Sequence, residues 1–266
     1  MTDDVRSVTV HHTPPERCLG GVAVVIDVLR WSTTCVAALA HGAVGVEAFG
    51  TAAEVRERAA RIGALMAGER AAHRIAGFDL GNSPLEFTAE RVAGRVICAT
   101  TTNGTRALAS VADVPVVFVA GFVNLSATAS AIRGVIAAAA ASTVTASDDA
   151  TRTGDLHHVD LICAGSEGEP SAEDSLCAEW LAAALGAGGP ARSTDTPRDT
   201  AYAADARHTR DARAALAAIA RSAPHANTLR AAGYAEDVDF ALRLDAIPLV
   251  AAVRDGRVVA VTADAP

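Results

Sequence analysis

Four times along the chain an apolar run of strand length gives way to a short polar turn and then to an amphipathic or alanine-rich stretch. The runs begin at Val22, Val96, Val116 and Val159. Apolar residues fill these runs almost without alternation, which predicts strands covered by helices on both faces. The repetition predicts an α/β fold, layered α/β/α, around a largely parallel or mixed sheet. Ligands of such sheets collect beyond the carboxyl ends of the strands, and the polar clusters of the chain fall there, at 27–30, 100–105, 122–124 and 165–174. Thr51 with Glu54 three residues on forms a capping box and predicts a helix through Met66. Asp255-Gly256, between apolar runs at 247–253 and 257–261, predicts a hairpin. Polar stretches at 146–158 and 186–197 predict surface connections. The 266 residues therefore read as one domain over 1–266, or as two intimately packed lobes divided near 186–198.

Composition narrows the chemistry. Half of the residues are hydrophobic, enough for a sizeable core, and the net charge is -8 with no basic stripe, which argues against a nucleic-acid partner. All 23 basic residues are arginine. Without lysine the chain cannot carry a Walker P-loop, a Schiff-base aldolase or a pyridoxal enzyme, and arginine must handle anions. Five scattered cysteines, odd in number and mostly in apolar runs, fit reduced thiols in a cytoplasm, and the lack of a C-x-x-C pair argues against zinc. The start Met1-Thr2-Asp3-Asp4 lacks the apolar core of a signal peptide, and no uninterrupted apolar stretch is of bilayer length, so no membrane is expected as a partner.

Two segments carry the candidate site. Thr100-Thr101-Thr102-Asn103-Gly104-Thr105-Arg106 lies where an apolar strand (95–99) meets a helix, so backbone N–H groups, hydroxyls and an arginine converge in a way that suits phosphate. Gly77-Phe78-Asp79-Leu80-Gly81-Asn82-Ser83-Pro84 offers a tight turn whose Asp79 is free to hold a hard cation. Asp27 closes a buried strand, where its desolvation demands a metal or an arginine; capping of a helix at 32–40 is its structural alternative. Leu29 stands where a haloacid dehalogenase needs a second aspartate, and the seven residues between Cys98 and Arg106 are too many for a cysteine phosphatase. Glu173-Asp174 are candidate ligands, general acids or first-turn helix acids. His41, His73, His157 and His158 show no metal or triad spacing. Carboxylates, hydroxyls and arginines without a Cys or His cluster imply an oxygen-liganded cation, Mg2+, and metal-assisted hydrolysis of a small anionic phosphoester.

These segments, with Val24-Val25-Ile26-Asp27-Val28-Leu29-Arg30, Gly68-Glu69-Arg70, Cys163-Ala164-Gly165, Gly233 and Glu236-Asp237-Val238, closely resemble the 2-phosphosulfolactate phosphatase family over nearly the whole chain. The resemblance implies a magnesium-dependent acid-type phosphatase acting on 2-phospho-3-sulfolactate, a step toward coenzyme M, on a fold peculiar to the family. The expected roles are Asp27, Arg30, Asp79 and Asp174 in catalysis and Asp27, Asp79 and Glu69 around the metal. Arg70, Asn82, Ser83, Thr101, Thr102, Asn103, Gly104, Thr105 and Arg106 are expected on the substrate. Trp31, Pro170 and Glu179-Trp180 depart from the pattern and leave a related phosphorylated hydroxy acid open as substrate. A non-catalytic anion-binding protein is the rival reading. A dinucleotide enzyme is disfavoured because Gly20-Gly21 precede the first strand and no G-x-G-x-x-G opens a helix. The expected setting is cytoplasmic, with assembly as a homodimer left open.

Overall fold

The strand Gly20–Ile26 has no polar side chain and every residue of it is buried, so it must be covered on both faces. The computed structural model describes residues 5–70, 72–141, 155–186, 192–193 and 210–262. In chain order it gives β1 (Ser7–His11), β2 (Gly20–Ile26), α1 (Trp31–Ala40), β3 (Gly45–Ala48), α2 (Ala52–Ile62), β4 (Leu65–Arg70), β5 (His73–Arg74), α3 (Ala89–Val92), β6 (Val96–Thr100), α4 (Asn103–Ala109), β7 (Val116–Ala120) and α5 (Leu125–Ala141). There follow β8 (Asp155–Cys163), α6 (Ala172–Ala184), β9 (Arg192–Ser193), α7 (Arg210–Ser222), α8 (Pro224–Ala231), α9 (Ala235–Ala241), β10 (Val250–Arg254) and β11 (Arg257–Val261).

The strands among the described residues join one mixed sheet in the order β5-β4-β6-β3-β11-β10-β7-β2-β8-β1-β9. Strands β7, β2, β8, β1 and β9 are mutually parallel, and so are β3, β6 and β4. Between these halves lies the β10–β11 hairpin, antiparallel to both neighbours, so three antiparallel pairings in succession reverse the sense of the second half. One face of the sheet packs on α5, α6, α8 and α9, and the other on α1 and α4. The layered α/β/α architecture follows.

Helix α1 fixes the geometry. Nine of its ten residues are buried, and the cluster around it draws side chains from β2, β7, β10, β11, β3, β6 and β4. A helix apolar on every side has to be enclosed. Sheet twist accumulates at roughly 20–25° per strand, on the order of 100° between β2 and β6, and this turns the two halves around α1. Both halves thereby bring strand ends to its first turn although their ladders run in opposite senses.

Several expectations need correction. The helix capped by Thr51 and Glu54 forms as read, with both capping-box bonds present, but it stops at Ile62 where Gly63 turns left-handed (φ 67°). Met66 belongs to β4 instead. Residues 155–158 of the stretch read as a surface connection are the start of β8, and 146–154 lie outside the described residues. Most of 186–198 also lies outside them, apart from Gly186 and β9. A helix long and apolar enough to cross a membrane does exist at Phe122–Ala141. It packs Leu125, Ala129, Ile132 and Ile136 into the core.

Charge also ties the sheet together. Glu47 of β3 accepts from Arg58 of α2 (2.7 and 3.0 Å) and from Arg257 of β11 (3.2 and 2.5 Å). The hydrogen bonds from Arg58 lead in holding the Glu47 carboxyl down at about 2, against desolvation that would raise it. A depressed acid adds stability above its unfolded value of roughly 4.3 and loses it as pH falls toward the folded one. Glu47→Gln is expected to cost about 1–3 kcal/mol at pH 7, and the gap to wild type should close between about pH 5 and pH 2. Urea unfolding across that range is the check.

Candidate active site

A cavity of about 470 Å³ opens over the first turn of α1, lined by strand-end residues of β2 (Asp27, Leu29, Arg30), β4 (Glu69) and β6 (Thr101, Thr102, Asn103), by Asn82, and by His225 and Thr228 of α8. Ser166 and Glu167 from the turn after β8 complete the rim.

Asp27 is 5% exposed. Its Oδ1 accepts the Trp31 N–H at 3.2 Å, and its own N–H donates to Ser32 Oγ at 3.0 Å. Burial is the largest influence on its carboxyl, which sits at about 6. The charge of His225 and the Trp31 N–H pull it down, while Glu173 and Glu69 push it up. A dry carboxylate of this kind is left short of positive charge.

Arg30 lines the same cavity and is held from behind. Its Nη1 donates to Asp237 Oδ2 at 2.8 Å, its Nη2 to the Ala72 carbonyl at 3.3 Å, and its guanidinium lies 4.3 Å from the Tyr234 ring centroid. Ser83 Oγ donates to the other Asp237 oxygen at 2.6 Å. Arg30 and Ser83, 53 positions apart by residue number, are thus set by one buried acid of α9. Sequence reading placed Asp237 in a motif but gave it no site role.

The threonine-rich turn delivers two unsatisfied groups. Thr101 Oγ1 and Asn103 Oδ1 are buried without a hydrogen-bond partner, and both residues line the cavity. Buried polar atoms normally have partners, so these mark where a ligand's polar atoms would sit. Thr105 stays in the scaffold, its Oγ1 donating to the Phe49 carbonyl at 3.3 Å and accepting the Thr101 N–H at 3.4 Å. Gly104 is required by contact, because a Cβ there would come within 2.7 Å of the Trp31 indole. Trp31 itself is 1% exposed and outside the large cavity. It fills core, as Trp180 does against Phe122 at 5.3 Å.

Four expected participants are placed elsewhere. Asp79 is exposed and outside the cavity lining; its Oδ2 accepts the Met66 N–H at 2.8 Å, which closes the turn onto β4. Asp27 and the threonine-rich turn meet, and Asp79 does not join them. Asp174 lies beneath the site: Oδ1 accepts from the Val28 N–H (2.8 Å) and Oδ2 from the Gly165 N–H (3.1 Å), so it clasps the ends of β2 and β8. Burial first, then Asp27 and Glu173, push its carboxyl well up. Arg70 is exposed and not part of the lining. Arg106, also exposed, reaches the Ala164 carbonyl at 3.4 Å.

A further site residue went unread. His225 opens α8 just after Pro224 and lines the cavity, with Nδ1 3.4 Å from Oε1 of the buried Glu173. Only Pro at a helix start marks the position in sequence, and that signals a cap, not a partner.

A dry acid, an arginine anchored from behind and unpartnered polar atoms meet at the strand ends of a layered α/β/α sheet, the setting of an enzyme site in this class of fold. The chain belongs to the 2-phosphosulpholactate phosphatase family, a group of phosphoric monoester hydrolases, whose family model matches residues 8–256. It is 33% identical over 261 residues to a probable 2-phosphosulfolactate phosphatase of Symbiobacterium thermophilum, covering 94% of this chain and 98% of that protein. A Thermotoga maritima protein of the same description is 33% identical over 234 residues, 88% of this chain and 89% of its own. One from a Synechococcus strain is 39% identical over 181 residues, 66% and 67%.

Removing the acid behind Arg30 leaves a buried guanidinium unpaired. Asp237→Ala is expected to cost about 3–5 kcal/mol, read as a lowered urea midpoint with unchanged slope.

Proposed function

We propose that this chain hydrolyses 2-phospho-3-sulfolactate, or a related small phosphorylated hydroxy acid, to the hydroxy acid and phosphate with the help of Mg2+. The observation that carries the reading is the convergence of Asp27, Glu69, Arg30, Thr101 and Asn103 on one cavity.

The residues present fit a hard cation. Mg2+ commonly takes one or two carboxylates and fills its remaining positions with water and substrate oxygens. Asp27 and Glu69 supply those carboxylates on one cavity wall, and burial, the largest influence raising the Asp27 carboxyl, means that a cation beside it would be favoured. Among the described residues no group of three or more His, Cys, Asp or Glu forms a complete cage, which suits a cation that shares its shell with substrate. Bound there, Mg2+ would neutralise charge on the transferring phosphoryl group.

The chain's own groups do the rest. Arg30, anchored by Asp237, offers a preorganised donor to an anionic oxygen and stays charged throughout. Thr101 Oγ1 donates to a phosphoryl oxygen, and Asn103 would donate to another only through its side-chain NH2, with the amide turned from the placement that points Oδ1 inward. Ser83 holds Asp237, and Asp174 holds the strand ends, so both act by positioning.

Purified protein should release phosphate from phosphosulfolactate, phospholactate or phosphoglycolate only with Mg2+, and EDTA should abolish that release. Asp27→Asn is expected to lose about 10²-fold or more in kcat. Asp79→Asn, altering an exposed group outside the cavity, should stay within roughly threefold of wild type. Release that persists unchanged in EDTA overturns the magnesium reading, and tight binding without turnover favours the anion-binding alternative.

A further inference from the structure

We propose that His225 delivers the proton to the leaving oxygen when the phosphoester bond breaks, and that Glu173 is the positioning residue that holds its ring. The inference rests on the phosphatase reading above.

The geometry sets one ring nitrogen of His225 beside a buried acid whose Oε1 has no hydrogen-bond partner of its own. Glu173, on the first turn of α6, is buried, and its side chain is 2% exposed. Its Oε1 stands 3.4 Å from His225 Nδ1, and the His225 side chain, 23% exposed, lines the cavity alongside Asp27 and Arg30. An acid beside Nδ1 favours the proton there and leaves Nε2 as the atom available to a ligand, and a small turn of the ring would close the Nδ1 hydrogen bond. Among the described residues no other histidine lines this cavity.

Charge around the ring supports its acid form. Without a bound cation, burial works against the imidazolium, but the adjacent Glu173 carboxylate favours it, with Asp27 adding to that and Arg30 opposing, and the group lies above its usual value. The remaining ionisable neighbours on the cavity wall are Glu69 and Glu167, both acidic. Pro224 and His225 stand at the positive end of α8, which disfavours a cation there. Glu173 supplies the compensating charge.

The step balances. Water attacks phosphorus, the bond from phosphorus to the ester oxygen breaks, and its electron pair stays on that oxygen, which takes the proton from His225 Nε2. Of the two protons brought by water, one stays on the product phosphate and the other passes to solvent, from which His225 regains its proton. The hydroxyl of an aliphatic hydroxy acid is a poor leaving group and needs that proton, whereas a nitrophenolate leaves without it.

The test compares an aliphatic ester, phospholactate, with 4-nitrophenyl phosphate on the magnesium-loaded protein. His225→Gln should lower kcat on phospholactate by about 10²-fold or more and on the aryl ester by less than about tenfold. It should also remove the fall in kcat that wild type shows on phospholactate as pH rises and the imidazolium is lost. Glu173→Gln should keep that fall and move it to lower pH. Equal losses on both esters by a His225→Gln protein that melts cooperatively overturn the proposal. If His225→Gln does not fold, an unmoved alkaline limb in Glu173→Gln overturns it. A wild-type protein inactive on both esters and on 2-phospho-3-sulfolactate defeats the phosphatase reading itself, and the proposal with it.

Discussion

Helix α1 has no face to give to water, and the sheet is arranged around that fact. Covering a rod from several sides takes strands from both parallel halves, with the β10–β11 hairpin as the hinge between them. Once the halves wrap the helix, the carboxyl ends of β2, β4 and β6 have to meet near its first turn. Polar side chains at those ends then share one cavity although they are scattered along the chain. The site is thus a by-product of burying Val36, Ala37 and Leu39, in the sense that no local motif could assemble it.

The electrostatic character of the cavity follows from which arginines arrive. Arg30 reaches it because Asp237 and the Tyr234 ring hold it there, whereas Arg70 and Arg106, equally promising in sequence, stay outside. The wall therefore carries Asp27, Glu69 and Glu167 against Arg30 and His225. A multiply anionic substrate meets a surface with more acids than bases. The cation proposed above would offset that mismatch.

What could be read in the chain was local. The apolar runs, the Thr51–Glu54 cap and the Asp255-Gly256 hairpin each depend on neighbours a few residues apart, and each formed near its expected place. Strand ends carried chemistry because buried strands can afford polar residues only where they stop. What escaped depends on contacts across the fold. Asp79 has the local signature of a ligand in a glycine turn, yet the nearest backbone donor, Met66 N–H, takes its carboxylate. The apolar residues Leu65 and Met66 were compatible with helix and strand alike, and Gly63 ended the helix before them. His225, Glu173 and Asp237 come from α8, α6 and α9, and nothing in their spacing reports that those helices converge on the end of β2.

Placing the hairpin at the middle of the sheet has a consequence for how the polypeptide leaves the ribosome. Strands β7 and β3 flank the hairpin and are made before it, so the residues that pair with them, 250–261, emerge only after both. Until then each half presents an open, apolar edge of the kind that recruits strands from other chains. A nascent chain of this architecture has to be shielded at those two edges, and truncation within 250–261 would leave two half-sheets with nothing to join them.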